Sequence, residues 1–155
     1  MRKSSSGSKK PTTNPYKPEM YQRIGHIAIV VEDYDDAIHF YVDKLGFRLI
    51  EDTMISNQKR WVVVAPPGAQ ECTLLLAKAD GHIQKDSIGN QTGGRVGFFL
   101  FTDDFQRDYK NLKEKGVEFV RPVQTFEYGT VSVFKDLYGN LWDLLQPTDK
   151  NKGVL

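Results

Sequence analysis

Residues 26–33 read HIAIVVED, a near-continuous run of apolar and mostly β-branched side chains, which predicts a buried strand. The period then changes. Tyr34, Ala37, Ile38, Tyr41 and Leu45 recur at helical spacing, with Asp33 placed to cap the start and Gly46 to end the helix. Three strand-like runs follow: FRLIEDTMI (47–55), RWVVVAP (60–66) and CTLLLAK (72–78). Turn chemistry separates them, most clearly PPGAQ at 66–70.

The order then repeats. RVGFFLFT (95–102) is a second strand, and Phe105, Tyr109 and Leu112 mark the apolar face of a helix that Gly116 ends. VEFVRPV (117–123), TVSVFKD (130–136) and NLWDLLQ (140–146) are three more strands, the last two joined by the tight turn DLYGN at 136–140. Arg23 matches Arg95, Gly25 matches Gly97, and LGF at 45–47 matches KGV at 115–117. Internal repetition of a strand–helix–three-strand unit predicts an α+β fold of two tandem βαβββ modules, whose curved mixed sheet encloses a cavity. The expected divisions are a single domain over 21–147 (module one 21–79, linker 80–94, module two 95–147), a basic tail over 1–20 and a short tail over 148–155.

Composition narrows the partners. Residues 1–20 carry five basic side chains against Glu19 alone, a net +4, which leaves −3 for the rest of a chain whose total is +1. A mildly acidic globule lacks the basic face that nucleic acid requires. The tail is rich in Ser, Lys and Pro, has no apolar run and reads as disordered or as an added leader before Met20. It also lacks the apolar segment of a secretory signal, and no stretch is long enough to span a membrane. Cys72 is the single cysteine, which excludes an internal disulfide and suits a cytoplasmic location.

The segments GHIAIVVEDYDDAIHFYVDKLGF in the first module, and GVEFV and VFKDLYGNLWDLLQP in the second, resemble the vicinal oxygen chelate superfamily. That group includes glyoxalase I, extradiol dioxygenases, fosfomycin-resistance enzymes and bleomycin-binding proteins. The resemblance spans about residues 21–147. It implies a homodimer and a divalent metal (Zn, Ni, Mn or Fe) held by a His or Gln of each first strand and a carboxylate of each last strand, with open positions for vicinal oxygens of the substrate.

Carried over residue by residue, His26 takes the first position and Asp143 the last. The other two fail. The second-module histidine falls on Gly97 or Phe98, according to a one-residue shift in alignment, and the first-module carboxylate falls near Leu75. His26 and Asp143 are thus candidate metal ligands of an incomplete site. Glu71, sharing a strand face with Leu75, and Gln91, in the linker, are candidate replacements; His82 lies in the same linker. Tyr128, Phe98 and Trp142 complete a set of candidate ligand-binding residues, although Phe98 and Trp142 equally suit packing. His39 shares the polar side of the first helix with Asp35, Asp36 and Asp43 and reads as solvated.

Two functions are expected from this. One is a metal-dependent lyase or isomerase, glyoxalase-like and similar to lactoylglutathione lyase, acting on a vicinal-oxygen substrate. The other is a metal-free protein that binds or sequesters a small molecule in an apolar cavity, similar to bleomycin-resistance proteins. Neither a Ser–His–Asp nor a Cys–His arrangement is evident.

Overall fold

A computed structural model describes residues 22–151. The expected tail over 1–20 and the last residues, 152–155, lie outside it.

Strand β1 (His26–Val31) leads into helix α1 (Tyr34–Ile38), which continues as a π-helical segment over His39–Lys44. Asp33 caps it by accepting the Asp36 N–H at 2.9 Å, and Gly46 ends it in the left-handed region at φ +76°. Strands β2 (Arg48–Met54), β3 (Arg60–Ala65) and β4 (Thr73–Lys78) complete the first module. The linker holds a short helix, α2 (Gly81–Ser87), that hydrophobic periodicity did not reveal. Its local signal is polar: the Gln84 side chain reaches back to accept the Asp80 N–H at 2.8 Å.

The second module begins with β5 (Val96–Phe101) and α3 (Phe105–Glu114), capped by Asp104 accepting the Arg107 N–H at 3.0 Å. The run 117–123 does not form one strand. Only β6 (Glu118–Phe119) lies within it; Pro122 has no N–H to donate, and strand pairing resumes beyond the run as β7 (Gln124–Phe126). Both strands lie on β8 (Gly129–Lys135), and between them Val120 N–H donates to Val133 O at 2.8 Å. β9 (Leu141–Pro147) ends the module.

The strands form two mixed sheets, ordered β1-β4-β3-β2 and β5-β9-β8-β6, with β7 also on β8. Among the described residues only the β1–β4 and β5–β9 pairs are parallel. The α+β class and the two tandem modules are therefore as expected. One core unites the two modules: Ile29, Val31, Tyr41 and Leu76 of the first pack with Phe105, Phe134, Trp142 and Leu144 of the second. Tyr41 and Phe47 meet the Trp142 ring at 5.8 and 6.0 Å.

The turn between β8 and β9 anchors this junction. Asp136, 3% exposed, accepts from Tyr41 Oη at 2.6 Å, from the backbone N–H groups of Tyr138, Gly139 and Asn140, and from Asn140 Nδ2. Tyr138 Oη accepts from Asp33 N–H and donates to Asp33 O, fastening the turn to the start of α1. No helix among the described residues is long and apolar enough to cross a membrane.

Candidate functional site

Strand alternation decides which side chains face the core and which face away. On β1, Ile29 and Val31 enter the core, so His26 and Ala28 lie on the opposite face, where both are exposed. On β9, Trp142 and Leu144 enter the core, so Asp143 and Leu145 lie opposite. The two candidate metal ligands thus stand on the non-core faces of different sheets.

His26 is held by its own sheet. Its register partner on β4 is Thr73, whose hydroxyl lies 2.5 Å from His26 Nδ1, and the Trp61 ring of β3 meets the imidazole edge-on at 5.8 Å. Asp143 pairs with Phe99 on β5 and Val133 on β8, both hydrocarbon side chains. Burial pushes the Asp143 carboxyl above its ordinary range, and the Arg121 cation only partly opposes that rise. Around it the second sheet exposes aromatic surface: Phe99 is 60% and Phe101 44% exposed, and Phe126 and Tyr128 stack at 5.1 Å at the β7–β8 end.

A stability test follows from the Asp143 shift. An acid whose folded pKa is raised holds its proton more tightly folded than unfolded, so its stability contribution falls as pH rises from the unfolded value through the folded one. Asp143→Asn is expected to be more stable than the parent at neutral pH and indistinguishable from it near about pH 3. Urea midpoints at both pH values check this; equal midpoints at neutral pH would mean that water, not hydrocarbon, surrounds the carboxylate.

The other candidates are dispersed. Gln91 is bound to the free edge of β1: its Nε2 donates to Ala28 O at 2.7 Å and its Oε1 accepts from Val30 N–H at 2.8 Å. The side-chain amide takes the place of a neighbouring strand there and is not available as a metal ligand. Glu71 is exposed in the loop before β4 and lines a groove of about 980 Å³ between that loop, β5 and α3. Phe98 stacks on Trp142 at 4.6 Å, and both belong to the core side, away from Asp143. Tyr128 is 41% exposed. His82 is exposed on α2, and exposed His39 bonds Asp43 at 2.7 Å. That Thr73 and Trp61 meet His26 was not legible, because β-strand neighbours are set by register, which hydrophobic pattern does not number.

Residues 23–144 match the family model described as the glyoxalase/bleomycin resistance protein/dioxygenase superfamily. The chain belongs to that superfamily. An uncharacterized protein of Shewanella frigidimarina is 63% identical over 132 residues, 84% of this chain and 98% of that one. The crystal structure of UcmS2 superposes with a TM-score of 0.71 at 31% identity, covering 81% of this chain and 98% of that one. TnmS3, an antibiotic binding protein from Streptomyces sp. CB03234, superposes with a TM-score of 0.66 at 30% identity, covering 83% and 98%.

Membership in the superfamily raises the metal directly, and the donor set does not fit one. The first-module carboxylate position is Leu75, paired with Ala28 and Val63. Neither alternative for the second-module histidine supplies a donor. A Cβ on Gly97 would lie 2.4 Å from Thr92 Cγ2, and Phe98 is committed to Trp142. Among the described residues no three His, Cys, Asp or Glu side chains are grouped as metal ligands. His26 and Asp143 supply two donors, fewer than the three protein ligands of a catalytic zinc site.

Proposed function

We propose that this superfamily member is a metal-independent binder of small, flat, aromatic molecules, held against the non-core sheet faces that carry His26 and Asp143. The single observation behind this is what occupies the implied ligand positions: Leu75 in one module, and Gly97, which has no side chain to offer, in the other. Hydrocarbon has taken the place of donors, while Phe99 and Phe101 offer ring surface beside one carboxylate. That is the usual form of a small-molecule site: apolar walls with a few polar groups. The likeness to an antibiotic binding protein at 30% identity points the same way.

A second copy belongs to this proposal. The two candidate faces lie on separate sheets of one chain, and a homodimer would set the first module of one copy over the second module of the other. The expected solution mass is then twice the 17.7 kDa of the chain, and a monomer at micromolar concentration would remove this way of closing the site. The lone Cys72 keeps a reducing cytoplasm as the proposed location.

Elemental analysis after incubation with Ni, Zn, Mn or Fe(II) separates binder from lyase. No retained metal is expected. About one equivalent, lost in both His26→Ala and Asp143→Ala, would restore the metal-dependent lyase or isomerase. For the binder, Phe99→Ala is expected to weaken a planar aromatic probe about tenfold in fluorescence titration while leaving the fold intact.

A further inference from the structure

The environment of His26 fixes more than its position. Gly25 O already accepts the Thr73 backbone N–H at 2.9 Å, and the Thr73 hydroxyl oxygen lies 3.2 Å from the same carbonyl oxygen. Two oxygens at that separation repel unless a proton lies between them. A hydroxyl has one proton, and this contact consumes it. His26 Nδ1, at 2.5 Å from that hydroxyl oxygen, must then be the donor. Only the Nδ1–H tautomer makes both contacts hydrogen bonds at once. The edge-on Trp61 ring restrains the imidazole in that orientation.

We infer that Thr73 locks neutral His26 as the Nδ1–H tautomer, so that its Nε2 is a fixed hydrogen-bond acceptor selecting aromatic ligands that carry a hydroxyl or N–H donor. Nε2 makes no hydrogen bond within the described residues, and the side chain is exposed on the proposed binding face. A fixed acceptor among rings favours phenols and aromatic amines over their methylated analogues. Thr73 acts through His26 and is a positioning residue. The selectivity rests on the binding function proposed above; the tautomer does not.

The imidazole nitrogens of 15N-labelled protein report the tautomer by chemical shift at about pH 8, where an ordinary imidazole is neutral. The parent is expected to show a protonated Nδ1 and an unprotonated Nε2. Thr73→Val, which keeps the branched shape, should move His26 toward the Nε2–H form, and Thr73→Ser should restore the parent spectrum. An Nε2–H parent would overturn the lock. In parallel, 2-naphthol should bind about tenfold more tightly than 2-methoxynaphthalene, the scale of one net hydrogen bond. Thr73→Val should level the two and Thr73→Ser should recover the ratio. A naphthol preference that survives Thr73→Val would overturn the selective role. A locked tautomer with neither probe bound would overturn the binding function and leave the lock standing.

Discussion

Asp136→Ala is expected to lower the unfolding free energy by about 4 kcal/mol, a large share of the stability of an ordinary domain. Five donors converge on that carboxylate: one phenol, one side-chain amide and three consecutive backbone N–H groups. Truncation strands four of them where water has little access, because Asn140 is 4% and Tyr41 0% exposed, while the Gly139 N–H keeps the Asp136 backbone carbonyl at 3.2 Å. Each buried donor left unpaired costs about 1–3 kcal/mol, discounted here because the turn can relax toward solvent. Burial and the neighbouring Asp136 carboxylate push the Tyr41 hydroxyl well above its ordinary range, so it stays a donor at any ordinary pH. Tyr41→Phe removes one bond and leaves Asp136 four donors; a loss of about 1–2 kcal/mol is expected. Urea denaturation of both variants checks the ratio. Equal effects would mean that the phenol, not the turn backbone, accounts for most of the contribution.

The same turn shows what the amino-acid sequence discloses and what it withholds. DLYGN is legible as a tight turn from Asp, Gly and Asn. Nothing in its pattern says that Tyr41, 95 residues away, completes it. The strands and helices were legible because one side of each is buried: Ile29 and Val31 on β1, or Phe105 and Leu112 on α3, keep the period of their element. The Asp33 cap was legible for a local reason, since it bonds the N–H group three residues on. Helix α2 escaped because it buries no side chain and so carries no period.

The candidate site was legible only by position. His26 and Asp143 stand out as polar residues on apolar strands, and the faces they occupy follow from alternation. Their surroundings do not. A single bulge between Val96 and Phe98 decides whether Gly97 or Phe98 corresponds to His26, and pattern cannot locate a bulge. Gln91 looked like a spare ligand in a linker. Its amide is instead spent on the edge of β1, where two backbone groups need partners as much as a metal would. The linker thus serves the first strand of the site by closing its edge, which makes its own path consequential.

That path admits one strong test. Gly89 has φ +74°, and a Cβ there would lie 1.8 Å from Tyr138 O, inside the turn that Asp136 organises. Gly68 has φ +85° but open space around its Cβ position. Alanine at either site meets the left-handed backbone cost of about 1–2 kcal/mol. Only at Gly89 must backbone also move, because the obstacle is a carbonyl and not the end of a flexible side chain. Gly68→Ala is therefore expected to lose about 1 kcal/mol, and Gly89→Ala at least about 3 kcal/mol more, through a displaced linker or a displaced turn. Displacement of the linker would also pull Gln91 from β1, exposing the Val30 amide to faster hydrogen exchange, whereas displacement of the turn would expose those of Tyr138 and Asn140. Equal losses in the two variants would show that the linker passes the turn with room to spare, and that Gln91 alone holds it against the sheet.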